Sequence, residues 1–425
     1  MKHYLMIGIS VLLLTAALFF IMRPPEHTEN KLEIFSWWTA TGEEEALNEL
    51  YKLYMQQNPK VKIINAAVVG GMGSKARSVL ETRMAGGNPP DSFQVLAGPS
   101  LLSRWIKPGY LQDLSFIYER HNLIEQFPEE LLQKLSYRGG IYAIPVNIHR
   151  ENVLWYNKSI FERCGLDPPR TPEELHFVVT QLAAVGITPL SVGDKNHWPA
   201  LHLFESILVS QLETEEYNGL WRGTTPWNSD KIKSSLEQFR FLFEFVNSDH
   251  AALTWDEGVQ YMVDGKCAMT VMGDFAEGYL KAKGLEPNKQ FGWVSFPGSQ
   301  DVFVMNSDTF ALPKKAVHRE NAIKWLEMIG SKAAQDAFNP EKGSIPARRD
   351  SRQDMDSYNA YQQSAARAFH TREIVGSVTH GTVAPDQWRN ELYRIIDTFI
   401  VDKNIEKAVN ELQRASRPQC IEGKG

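Results

Sequence analysis

From residue 31 to residue 98, strand-like and helix-like segments alternate, and this alternation limits the possible folds more than any other feature of the chain. "LEIFSWW" (32–38) has the composition of a strand. Behind it, Thr41 and Glu44 have capping-box spacing, and Ala46, Leu47, Leu50, Tyr51 and Tyr54 recur along one helix face. Glu44 and Glu45 then have a structural role at the positive end of the helix dipole. "VKIINAAVV" (61–69) predicts a second strand, residues 74–85 a helix, and "SFQVLAG" (92–98) a third strand. The order βαβαβ specifies an α/β fold with a mainly parallel sheet covered by helices. Ligands in such sheets bind beyond the carboxyl ends of the strands, where Trp37, Trp38 and Gln94 fall. At 425 residues the chain exceeds a single core and should divide into two lobes.

Composition and spacing remove several functions. A net charge of −6 gives no support for non-specific binding to nucleic acid or anionic membranes. Cys164, Cys267 and Cys420 lie far apart, with neither a C-x-x-C pair nor zinc spacing. Gly71-Met72-Gly73-Ser74-Lys75-Ala76 has the form G-x-G-x-x-A, but it follows the second strand of the series, and Asp91 begins a strand rather than ending one. A glycine-rich turn with helix N-terminal amides facing a cleft fits it better. His197 and His202 in "NHWPALH" are five apart, do not share a helix face well and lack a partner acid within that stretch. No catalytic residue, cofactor or metal is expected.

The first residues assign a destination. Lys2 precedes an uncharged, mostly apolar run from Tyr4 to Met22, followed by Arg23, two prolines and a polar stretch. This is a secretory signal or an uncleaved membrane anchor, residues 1–30 in all. The run approaches the ~20 residues that span a bilayer. Thr15-Ala16-Ala17 is the nearest small-residue cluster to a cleavage site. Export to the periplasm is expected, with anchoring by residues 4–22 left open.

"GGIYAIPVNIHRENVLWYNKSIFERCGLDPPRTPEEL" (139–175) reads as an apolar strand, then an alternating strand ending at Tyr156-Asn157, a short helix, and a helix start at Thr171 with proline in its first position. This stretch resembles the family 1 extracellular solute-binding proteins, the sugar-capturing components of ABC importers. So do "FVNSDHAALTWDEGVQYMVDGKCAMTVMGDFA" (245–276), "SFPG" (295–298), "SDTFALPK" (307–314) and "NAIKWLEMIGSKAAQDAFNPEKGSIPAR" (321–348). The combination of WW, FQV, PVNIHR, FNPxKGSI and VTHG is most similar to the glucose- and mannose-binding branch. The resemblance implies a bilobal periplasmic-binding-protein fold of type II, with two mixed or parallel sheets and a hinged central cleft. Lobe 1 would hold 31–146 plus 303–347, lobe 2 would hold 147–302 plus 348–415, and 416–425 would form a C-terminal tail. It also implies a monomer that takes a neutral sugar such as glucose and delivers it to a membrane permease.

The chemistry of a sugar agrees. A pyranose has a flat C–H-rich face and a rim of hydroxyls, so it needs an aromatic plate and rigidly placed donors and acceptors. By the resemblance, Trp37 and Trp38 supply the plate, Trp38 as the cleft wall, with core packing of one of the two as the alternative. Glu43 is the acid five positions after Trp38 and could instead serve the helix start. Gln94, Asp308, Lys342 and His380 match polar cleft residues. For the first three the bland alternatives are a solvated amide, a turn acid and a surface lysine, and Lys342 reads as part of a tight turn between Pro340 and Gly343. Trp255 is a second aromatic wall or helix packing, and His149 and Asp274 are further candidates. One departure concerns Leu96, which stands where that branch carries a polar or basic side chain two residues after the Gln94 equivalent. Two other classes stay open. Paired carboxylates could hydrolyse a glycoside, and a sensory ectodomain could be anchored by residues 4–22, although the short cytoplasmic start offers no signalling domain.

Overall fold

The computed structural model describes residues 30–69 and 74–416. The apolar run 4–22, residues 71–73 of the G-x-G-x-x-A motif, Cys420 and the rest of the C-terminal tail after residue 416 lie outside the described residues. Among the described residues, no helix is long and apolar enough to cross a membrane.

In chain order the strands are β1 (Lys31–Phe35), β2 (Lys62–Asn65), β3 (Ser92–Leu96), β4 (Ser136–Tyr137), β5 (Gly140–Ile141), β6 (Ala143–Pro145) and β7 (His149–Arg150). They continue as β8 (Val153–Asn157), β9 (Thr188–Ser191), β10 (Cys267–Val271), β11 (Phe291–Ser295), β12 (Val302–Asn306), β13 (Asp308–Ala311) and β14 (Glu373–Gly376). The first sheet has the order β2-β1-β3-β13-β6 and the second β11-β8-β10-β9. A short sheet, β14-β12-β7, and the β4-β5 hairpin complete the set. The βαβαβ start forms as the pattern predicts: β1 runs parallel to both β2 and β3. β13, more than two hundred residues downstream, then enters antiparallel to β3 and sets Asp308 opposite Leu96.

The molecule is an α/β protein of two lobes with two cores. Leu32, Ile34 and Phe93 of the first sheet pack with Trp325 and Phe338 in one. Leu154, Leu190 and Met269 of the second sheet pack with Phe204, Trp388 and Phe399 in the other. Helix starts follow local chemistry where the chain provides it. Thr171 Oγ1 accepts from the Glu174 N–H at 3.2 Å and Glu174 returns the bond, with Pro172 in the first helical position.

Two local expectations are corrected. The first helix runs Glu43–Gln57, and its N-terminal bond comes from the Gly42 N–H to the Glu45 carboxylate, not from a Thr41–Glu44 box. Gly42 has φ +89°, a backbone angle that only glycine adopts freely, so the chain turns into the helix one residue later than Thr41 would allow. Lys342 is not in a turn. It is the last residue of the helix Lys332–Lys342, which carries Pro340 in its final turn and ends at Gly343 with φ +82°.

Three glycines let these elements approach closely. A Cβ on Gly278, in the helix Phe275–Ala282, would lie 2.7 Å from the backbone oxygens of Glu341 and Lys342. One on Gly42 would lie 2.6 Å from the carbonyl carbon of Gly278, and one on Gly343 would lie 2.5 Å from the Gly278 nitrogen.

Candidate functional site

A cavity of about 300 Å³ opens where the carboxyl ends of β1 and β3 meet the helices of the second lobe. Trp37, Trp38 and Glu43 reach it from the segment after β1, and Leu96 from the end of β3. His149, Asn306 and Asp308 come from the strands that cross between the sheets. Trp198, Trp255 and Phe275 face them from three helix starts, with Lys342 and His380 between. Of the ten candidate site residues named from sequence, eight line the cavity.

Gln94 and Asp274 do not line it; they lie behind it. Gln94 is buried, donates to Asp308 Oδ1 at 2.7 Å and accepts from the Trp37 N–H at 3.1 Å, so it is neither a rim group nor a solvated amide. Asp274 is buried, accepts from the Arg150 N–H at 2.9 Å and pairs with His149 Nδ1. Their roles are to hold Asp308, the Trp37 backbone and His149 in place. The aromatic wall also differs from expectation. Trp38 is only 1% exposed and packs against Phe310 and Phe338 at ring separations of 5.6 and 5.0 Å. It is a core residue with one edge at the cavity, whereas Trp37 is half-buried. Alternation along an extended segment sends the two rings to different faces. On the other side, Trp255 meets Phe275 edge to face at 4.9 Å, and Trp198 stands 5.7 Å from the His380 ring.

The polar groups form two linked sets. Lys342 Nζ donates to Glu43 Oε1 at 3.0 Å and lies 5.8 Å from the Trp38 ring and 5.3 Å from that of Phe275. Burial raises the Glu43 pKa, with Lys342 opposing. An ammonium has three donors, and Glu43 takes one. Asp308 accepts from Gln94, from Asn147 at 3.1 Å and from His149 Nε2 at 3.0 Å. Burial alone would lower the His149 pKa, but Asp274 and Asp308 outweigh it and raise it to about 9. Burial pulls Asp308 the other way, and the His149 pair more than offsets it, leaving this carboxyl below its ordinary value. His380 is held neutral, chiefly by burial, and its Nε2 has no hydrogen-bond partner.

The pattern missed Trp198, Phe275 and Asn306. Trp198 follows His197 in "NHWPALH", a stretch weighed only for its histidines, and Phe275 follows Asp274. Neither shows its role without the fold that brings residues 37, 198, 255 and 275 together. His197 pairs on the surface with Asp397 at 2.9 Å, while His202 is buried. Cys164 and Cys267 are free thiols.

Two lobes enclosing a cavity walled by aromatic rings and edged with buried charged groups define a solute-binding protein. The family model for the bacterial extracellular solute-binding protein matches residues 38–336, and the chain belongs to that family. An uncharacterized ABC transporter extracellular-binding protein of Pyrococcus horikoshii is 38% identical over 93% of this chain and 89% of its own length. A protein of Rhizobium meliloti described as a "Probable sugar-binding periplasmic protein" is 31% identical over 94% of this chain and 96% of its own. Among solved structures, the bacterial solute receptor AcbH, described as having an exclusive preference for β-D-galactopyranose, superposes with a TM-score of 0.80 at 18% identity. That match covers 93% of this chain and 99% of that one and concerns the fold alone.

Proposed function

We propose that the cavity holds one neutral monosaccharide, a hexose such as glucose, and that the lobes close over it before delivery to an ABC permease. The observation that carries this reading is the pairing of aromatic walls with Lys342, Glu43 and His380 around about 300 Å³, at the small end of ligand pockets. Lys342 brings spare donors, Glu43 an acceptor and His380 an open ring nitrogen, which together suit hydroxyls that both give and take. Leu96 puts an apolar edge on the same rim, so the hexose presents a C–H there rather than a hydroxyl. Charged groups already joined in pairs support binding over hydrolysis. The lobes divide at 146/147, 302/303 and 347/348, and the protein acts as an exported monomer.

A thermal-shift panel of neutral monosaccharides and disaccharides tests the reading. The true ligand at about 100 times its dissociation constant should add about 2.7 kcal/mol of stability. Stabilisation by oligosaccharides alone would overturn the size assignment, and stabilisation by no sugar would overturn the reading itself.

A further inference from the structure

Behind the cavity wall lies a cluster of which only His380 also faces the sugar cavity. Glu151 follows β7, His202 sits in the helix Trp198–Gln211, and His380 comes from the loop after β14. All three are buried. Glu151 Oε2 stands 3.8 Å from His202 Nδ1 and 3.6 Å from His380 Nδ1. One ligand atom from each residue lies within 4.8 Å of the other two. Neither carboxylate oxygen of Glu151 and neither ring nitrogen of His202 has a hydrogen-bond partner of good geometry, with the Asn306 side chain the polar neighbour of Glu151 and the Glu151 backbone that of His202. Buried polar groups left this way are costly, and four on two adjacent side chains call for a shared partner.

We propose that Glu151, His202 and His380 form a binding site for one divalent ion of the zinc type, beside the sugar cavity. Two imidazoles and a carboxylate are a zinc donor set that leaves a fourth position open. Ligands at ~2.1 Å from a tetrahedral centre are ~3.4 Å apart, so the two separations from Glu151 need to close by a few tenths of an ångström, and the one between the histidines, within 4.8 Å, by up to about 1.4 Å. Burial lowers the His202 pKa to about 4 and that of His380 further still from its ordinary value, which keeps both rings in the neutral, ligating form. Burial pushes Glu151 well above the carboxylate range, with His149 opposing and Asp274 and Glu205 adding to the rise. His380 Nδ1 also faces Ser377 Oγ at 3.0 Å, a bond the ion would replace. With Nδ1 on the metal, Nε2 carries the proton, and His380 changes from acceptor to donor toward the cavity.

The test is a Co²⁺ titration of the untagged full chain after chelator treatment, read by visible d–d absorption, with Zn²⁺ displacing it. One equivalent should bind, with tetrahedral-type bands, and Glu151→Gln and His202→Gln should each weaken binding at least 100-fold. Melting of the chelated variants checks folding. Should a variant unfold, the wild-type spectrum still decides, because absence of a one-equivalent Co²⁺ spectrum overturns the site. Unchanged binding in both folded variants also overturns it. Sugar affinity is measured separately on chelated protein, so loss of the sugar reading and loss of the metal site are distinguishable.

Discussion

At the scale of single residues, the two tryptophans at 37 and 38 divide between packing and site. Trp38 is core, and Trp38→Ala should cost about 3–5 kcal/mol of stability, read as a fall in the chemical-denaturation midpoint. A variant that melts normally and loses only sugar affinity would return Trp38 to the cleft wall. Lys342 is the opposite case. Lys342→Met keeps the stem and removes the charge, so it should lower sugar affinity by about 5- to 150-fold in calorimetry. Unchanged affinity would take Lys342 out of the site. His149 gives a signed dependence on pH. Its pKa is raised from 6.5 to about 9 on folding, so its contribution is complete below 6.5 and is lost as pH rises through about 9. Thermal melts from pH 6 to 10 should show this decline, and His149→Gln should flatten it. A variant with an equally steep alkaline limb would assign the decline to another group.

At the scale of elements, much was legible wherever the determining chemistry is local. Thr171-Pro172-x-Glu174 predicted a helix start and forms one; Thr171→Ala should cost about 1 kcal/mol by denaturant titration, and a change within error would show the cap to be dispensable. The helix over residues 74–85 and the strand around 92–96 were legible for the same reason. The last turn of the helix Lys332–Lys342 was not, because Pro340 argues locally for a break, while packing against the first helix and Gly343 at its end keep that turn. Gln94 was equally hidden, since the group that buries and bonds it, Asp308, lies 214 residues downstream. Glu151, His202 and His380 come from three separate segments, and no spacing rule could have assembled them.

At the scale of the whole molecule, the cavity exists because two lobes meet, and the fineness of that meeting is set by three residues without side chains. With the lobe division proposed above, Gly278 faces Gly42 and Gly343 across the cleft, backbone to backbone. Gly278→Val should hold the lobes apart, giving a larger radius of gyration in small-angle scattering with sugar present and an affinity at least tenfold lower. Scattering curves that contract as in wild type would sink this. The consequence reaches past ligand binding. A permease that recognises the shut shape measures the distance between two surfaces, and here that distance is gauged by bare peptide groups. A single methyl group at residue 278 would then act as a doorstop: the receptor could still hold its sugar loosely, yet present the transporter with a door ajar.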